Sequence, residues 1–179
     1  MSPSSSDLAD TLKSRIRNVP DFPKPGILFY DVTTLLKDAD GFQLAVNEMA
    51  VSHVASRIDV VVGIESRGFI FGAAVADRLR TGFAPVRKSG KLPSTTRRAS
   101  YALEYGTDSL EIHDDAVLAG QRVLIVDDLL ATGGTANAAV QLVKQLGGVV
   151  QGIAFLIELV GLDGRSKLEG EQVYTVLSY

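Results

Sequence analysis

Cysteine is absent from this 179-residue chain, which excludes disulfides, thiolate metal sites and a cysteine nucleophile and gives no sign of an oxidising compartment. An excess of basic charge is also missing. Eighteen Lys and Arg against twenty-one Asp and Glu leave a formal net charge of -3, so a general nucleic-acid or membrane-surface binder is not expected. Any polyanionic ligand must be held by local groups. The opening "MSPSSSDLAD" has neither a basic n-region nor an apolar h-region, and no apolar run is long enough to span a bilayer. A cytoplasmic protein is expected. The lysine-bearing pattern G-x-x-x-x-G-K is missing too, which disfavours a nucleoside triphosphatase. His53 and His113 stand far apart without a metal-ligand pattern and read as structural.

What is present is ample apolar material, 46% of the residues, enough for one packed core. Asp7 can cap a helix carrying Leu8, Leu12 and Ile16, and Pro20, Pro23 and Pro25 stop any continuation. Phe42, Val46, Met49 and Ala50 recur at helical spacing after Asp40. "DVVVGI" (59–64) and "QRVLIVDD" (121–128) are continuous apolar runs that suit buried parallel strands. "GFIFGAAVADRL" (68–79) reads as helix and "GFAPVRK" (82–88) as a short strand. A helix follows from Thr135 to Leu146, with Gly147 and Gly148 as its stop, and strands at 149–159 and 173–179 complete the series. Alternating strands and helices predict an α/β fold, a mostly parallel sheet with helices on both faces. The polar, turn-rich stretch 88–116 breaks that rhythm and is expected to form a lid or hairpin.

The chemistry concentrates at strand ends, where ligands of open parallel sheets bind. In "VLIVDDLLATGGT" (123–135) the apolar run is expected to stop at Asp127 and Asp128. Ala131, Thr132, Gly133, Gly134 and Thr135 then form a small-residue turn before a helix, a cradle in which backbone N–H groups, hydroxyls and the helix dipole favour a phosphate. Carboxylates there would repel a bare polyanion, so they suit sugar hydroxyls or Mg²⁺ held through water. The two halves describe a ribose phosphate. "VLIVDD" also looks like the first strand of a response-regulator receiver domain, but too little chain follows for about four further strand–helix units. "GIESRGFIFG" (63–72) supplies a second anion-ready turn with Glu65, Ser66 and Arg67, and Arg87, Lys88 and Lys91 supply a third basic group.

With these motifs assembled, the sequence resembles the adenine phosphoribosyltransferases, of the type I phosphoribosyltransferase fold. The resemblance runs through "DFPKPGILFYDVTTLL" (21–36), "GIESRGFIFG", "VRKSGKLP" (86–93), "YALEYGTDSLEIH" (101–113) and "VLIVDDLLATGGT". It implies a single domain over 1–179, with a small N-terminal helix and base-binding hood (1–35) and a catalytic lid (88–116). It further implies purine salvage, in which adenine and phosphoribosyl pyrophosphate give AMP and pyrophosphate with Mg²⁺. On that resemblance Asp127 and Asp128 take the ribose hydroxyls and Ala131 to Thr135 the 5′-phosphate. Glu65, Ser66, Arg67, Arg87, Lys88, Lys91 and Tyr105 belong to the pyrophosphate side, Arg67 with a catalytic share. Phe29 stacks on adenine while the backbones of Leu28 and Tyr30 read its edge. Glu104 acts as the general acid/base. Many relatives have Arg at the position of Tyr30.

The resemblance also implies a homodimer, with Arg87 reaching toward the partner, and no nucleic-acid or membrane partner. Two other readings compete. A regulator that senses phosphoribosyl pyrophosphate would need a nucleic-acid-binding portion, and the roughly twenty residues before the proline segment are too few for a winged helix. An enzyme acting on guanine, hypoxanthine or xanthine would separate from the adenine enzyme by competition among purines.

Overall fold

The computed structural model describes residues 5–53, 56–102 and 107–179. The chain divides into two compact units, residues 1–48 and 49–179. In the first, helix α1 (Ser5–Lys13) is followed by an antiparallel pair, β1 (Arg17–Pro20) and β2 (Leu28–Asp31), then by α2 (Thr33–Leu36) and the start of α3 (Ala39–Val51). The helix carries Leu8 and Leu12 as its spacing predicts, while Ile16 lies just beyond its end and is buried all the same. The proline-rich stretch between the two strands forms a turn in which Asp21 accepts from the Gly26 N–H at 2.7 Å.

Among the described residues of the second unit, seven strands form one sheet in the order β5-β6-β4-β3-β7-β8-β9. Their ranges are β3 (Val60–Ile64), β4 (Gly82–Lys88), β5 (Thr96–Ala102), β6 (Thr107–His113), β7 (Arg122–Leu130), β8 (Val149–Glu158) and β9 (Val173–Ser178). Strands β4, β3, β7, β8 and β9 run parallel, and the antiparallel pair β5–β6 joins them through β4, antiparallel to β6. Helix α4 (Gly68–Leu79) links β3 to β4, and α5 (Gly134–Gln145) links β7 to β8. The two crossovers step in opposite directions along the sheet, so their common right-handedness puts the helices on opposite faces. The strand period of two serves both faces. Val60, Val62, Ile64, Val123 and Ile125 join one core cluster with Ala136, Ala139, Val140 and Val143 of α5. Val61, Leu124, Val126 and the α4 residues Phe71 and Val75 are equally buried outside that cluster.

The mostly parallel sheet with helices on both faces is therefore as the alternation of apolar runs requires. One boundary differs. Strand β7 does not stop at the paired carboxylates but continues to Leu130, and Asp127 stands opposite Phe155 of β8 in the ladder. The β7 ladder partners on β8 keep the strand going, and Leu130 is itself buried. Within the stretch 88–116, β5 and β6 pair antiparallel and extend the main sheet beyond β4.

Candidate active site

Strands β3 and β7 are neighbours in parallel register, with Gly63 opposite Val126. Their carboxyl ends therefore open side by side, and a cavity of about 460 Å³ lies over them. It is lined by Glu65, Ser66 and Arg67 after β3, Lys88 at the end of β4, Asp127 to Leu130 of β7, and Ala131 to Ala136. Two separate predicted motifs and one of the three basic residues of a third thus meet in one place. Arg87 and Lys91 adjoin this group without lining the cavity, and Glu104 and Tyr105 fall outside the described residues.

Asp127 and Asp128 are buried although both face the cavity. Asp127 Oδ1 accepts the backbone N–H of Asp128 at 2.9 Å, and Asp128 Oδ2 accepts Nε–H of Arg67 at 2.5 Å. Burial first, and the adjacent Asp128 charge second, push the Asp127 carboxyl well above the usual carboxylate range. Arg67 partly opposes that shift. The close approach of α4 depends on Gly68, where a Cβ would stand 2.5 Å from Asp127 Oδ1 and 3.1 Å from Asp127 Cα.

Beyond the carboxylates the chain turns into α5. Gly133 takes a left-handed backbone (φ 77°), which glycine adopts without strain, and among the described residues no side chain caps the helix. The first N–H groups of α5 are left to a ligand, and the helix dipole favours a negative one. On the other rim, Glu65 accepts from Arg87 Nε at 3.1 Å, Arg87 Nη2 at 3.2 Å and the Lys88 N–H at 3.0 Å. The Arg87 bonds hold the Glu65 carboxyl below its ordinary value. Glu65 thereby orients two cationic residues.

Sequence reasoning missed the pairings of several supporting groups. The Lys88 ammonium lies 3.3 Å from Asp108. Asp108 also accepts the Tyr101 hydroxyl at 3.2 Å. Buried Glu111 accepts from Ser89 Oγ (2.7 Å), Gly90 N–H (2.9 Å) and Arg98 (2.6 and 3.0 Å). It pins the turn that separates Lys88 from Lys91. The signal available was a charge between two apolar residues in "LEI", which on a strand reads as a solvent-facing side chain.

Leu28, Phe29 and Tyr30 lie together on β2 of the first unit, Leu28 exposed and the other two half-buried. Phe29 meets Phe22 edge-on, ring centroids 5.1 Å apart. His53 is buried edge-on to Tyr174, its basicity lowered by burial, and Nε2 of both His53 and His113 has no hydrogen-bond partner among the described residues.

Comparison with known proteins settles the family. The model of the phosphoribosyl transferase domain matches residues 33–176. The adenine phosphoribosyltransferase of Acidobacterium capsulatum is 56% identical over 179 residues, covering 100% of this chain and 99% of that protein. The chain belongs to the adenine phosphoribosyltransferase family. The adenine phosphoribosyltransferase of Koribacter versatilis is 57% identical over 170 residues, covering 95% and 93% of the two chains. The crystal structure of the Thermoanaerobacter pseudethanolicus adenine phosphoribosyltransferase superposes with a TM-score of 0.93 at 53% identity, over 96% of this chain and 99% of that one. The Saccharomyces cerevisiae adenine phosphoribosyltransferase, solved with an imino-altritol bisphosphate and adenine, gives 0.92 at 43% identity, over 96% and 99%. The phosphoribosyltransferase fold thus accounts for the mixed sheet and for the cavity at its carboxyl edge.

Proposed function

We propose that the cavity over β3 and β7 holds phosphoribosyl pyrophosphate, and that the chain transfers its 5-phosphoribosyl group to adenine, releasing AMP and pyrophosphate. The observation that carries this reading is the meeting of two buried carboxylates with an uncapped helix start in one cavity. The first can accept hydrogen bonds from vicinal hydroxyls and the second can cradle a phosphate. Asp127 and Asp128 take the ribose hydroxyls, and Ala131, Thr132, Gly133, Gly134 and Thr135 the 5′-phosphate. Ser66, Arg67, Lys88 and Lys91 take the pyrophosphate, aided by Tyr105 and by Arg87, which Glu65 orients. Leu28, Phe29 and Tyr30 take adenine. Residues 1–35 act as the base-binding hood and 88–116 as the lid of one phosphoribosyltransferase domain.

Breaking the bond between the sugar's C1 and pyrophosphate leaves an oxocarbenium-like sugar and a departing anion. Catalysis consists of stabilising that anion and positioning the incoming nitrogen. Arg67 and Lys88 do the first from fixed places on two strand ends. Glu104 exchanges a proton with the purine ring as its nitrogen reacts, and lid closure keeps water from the activated sugar.

The donor set suits Mg²⁺ held through substrate and water. No group of three or more metal-ligating side chains occurs among the described residues, whereas Mg²⁺ keeps several waters and needs only one or two carboxylates beside substrate oxygens. Asp127 and Asp128 would supply those carboxylates. Mg²⁺, when bound, neutralises charge on the pyrophosphate. Among the described residues no helix is long and apolar enough to cross a membrane, and the working form is a cytoplasmic homodimer without a nucleic-acid partner.

The test is AMP formation from adenine, phosphoribosyl pyrophosphate and Mg²⁺, comparing the native chain with Glu104→Ala. Native turnover with a large loss of kcat in the variant supports the enzyme and its lid acid. Equal rates remove Glu104 from the mechanism. Binding of phosphoribosyl pyrophosphate without native turnover favours the sensor or a different base.

A further inference from the structure

Gly164 belongs to a one-turn segment (Gly164–Leu168) after β8 and has no assigned part in substrate binding. A Cβ built on it would overlap the carbonyl oxygen of Ala131 and stand 3.1 Å from the Gly133 nitrogen. A Cβ on Gly133 would in turn overlap the Gly164 carbonyl oxygen. The two glycines face each other backbone to backbone, with Gly133 in its left-handed conformation. The obstruction on both sides is main chain, which cannot swing aside as a side chain could.

The segment is fastened beside this contact. Arg165 donates from Nε and Nη2 to the two oxygens of Glu158, each at 2.7 Å, and from Nη1 to the Val173 carbonyl at 3.1 Å. Glu158, buried at the end of β8, also accepts the Thr175 hydroxyl at 3.0 Å. On the near side the Leu159 N–H donates to the Leu130 carbonyl at 2.9 Å, and on the far side Leu168 enters the core. The segment is therefore a strap, tied to β7, β8 and β9 and pressed against the turn between β7 and α5.

We propose that Gly164 and Arg165 are positioning residues for the 5′-phosphate. The strap sets the curvature of the 131–134 turn, so that its N–H groups converge on one anion before any substrate arrives. This rests on the reading that the turn is the 5′-phosphate cradle. A cradle made of main chain has no side-chain rotamers to adapt, and displacement of about 1 Å can cost on the order of a hundredfold in turnover. The pyrophosphate donors Arg67 and Lys88 stand on other strand ends.

Calorimetric titration with two probes, ribose 5-phosphate and pyrophosphate, separates positioning from general stability. For Gly164→Ala the expected result is at least about tenfold weaker ribose 5-phosphate binding with unchanged pyrophosphate affinity. The KM for phosphoribosyl pyrophosphate should rise while the KM for adenine holds. Arg165→Met leaves Gly164 in place and exchanges an exposed side chain, so it keeps the test open should Gly164→Ala fail to fold. It should give a smaller loss in the same direction, and Arg165→Lys should recover part of it. Equal weakening of both probes, or of neither, in folded variants overturns the proposal. A native chain that binds pyrophosphate but not ribose 5-phosphate overturns the cradle assignment itself.

Discussion

Arg67 and Asp128 meet at 2.5 Å across the carboxyl ends of β3 and β7, the guanidinium part-exposed in the cavity and the carboxylate buried beneath it. The pair fixes Nε of the arginine in the wall of the cavity. Lysine keeps the charge but not the fork. Arg67→Lys should lower kcat for AMP formation by about a hundredfold, the usual cost of one preorganised donor to a developing anion. Steady-state kinetics with saturating adenine would check it, and a change of less than about threefold would place Arg67 outside the transition state.

Asp127 gives a prediction with an unusual sign. Its folded value is raised above the ordinary 3.8 by burial and by Asp128. The stability this group contributes is therefore fully present below the unfolded value and is lost as pH rises through the folded one. Asp127→Asn keeps an oxygen for the Asp128 N–H and never ionises. The variant should be more stable than the native chain at pH 7, with the difference in Tm closing as pH falls toward 4, while its KM for phosphoribosyl pyrophosphate rises. A variant less stable at pH 7 would argue against a strained carboxylate.

Gly68 sets how near α4 comes to β7. Gly68→Ala places a methyl against Asp127 Cα and the Val126 carbonyl, both at 3.1 Å, and against Asp127 Oδ1 at 2.5 Å. Forcing the helix outward should cost about 1–3 kcal/mol. Denaturant unfolding would measure that cost, and the rate should fall further than stability alone requires because Arg67 immediately precedes the helix.

Glu111 works in the opposite sense to Asp127. Bonds from the Gly90 N–H, Ser89 and Arg98, in that order, lower its carboxyl to about 2 from 4.5. Its stabilisation is present above the unfolded value and is lost as pH falls from about 4.5 toward 2. Glu111→Gln should cost about 1.5–3 kcal/mol at neutral pH, the range for hydrogen bonds to a charged group. Because the turn it pins separates Lys88 from Lys91, pyrophosphate binding should weaken with it. Chemical denaturation at pH 7 and pH 3 should give a native-to-variant gap that narrows in acid.

The apolar runs made β3, α4, β4, β7, α5, β8 and β9 legible to within a residue or two, since each has a period or a continuous buried stretch of its own. The site was legible where a motif is contiguous, as in "ESRG" and "ATGGT". What the sequence could not expose are pairings between distant segments. Lys88 and Asp108 carry no local signal, because only the pairing of β4 with β6 brings them within reach. The antiparallel β1–β2 pair was hidden by its prolines, which read as mere interruption. Glu111 gave no signal of its own, since nothing local announces that the Ser89–Gly90 turn folds over it.

The parallel register of β3 and β7 acts as a ruler for the chemistry. Gly63 stands opposite Val126, one residue before the first carboxylate. Side chains alternate along a strand, so a slip by one residue either brings Val126 to the place of Asp127 or drives the Asp127 carboxylate to the buried place of Val126. The same slip would turn Leu124 and Val126 toward the face that Val123 and Ile125 fill, so both apolar layers would have to repack. Misalignment of the candidate site therefore carries the cost of repacking the sheet, and its accuracy is set by apolar residues that do not line the cavity.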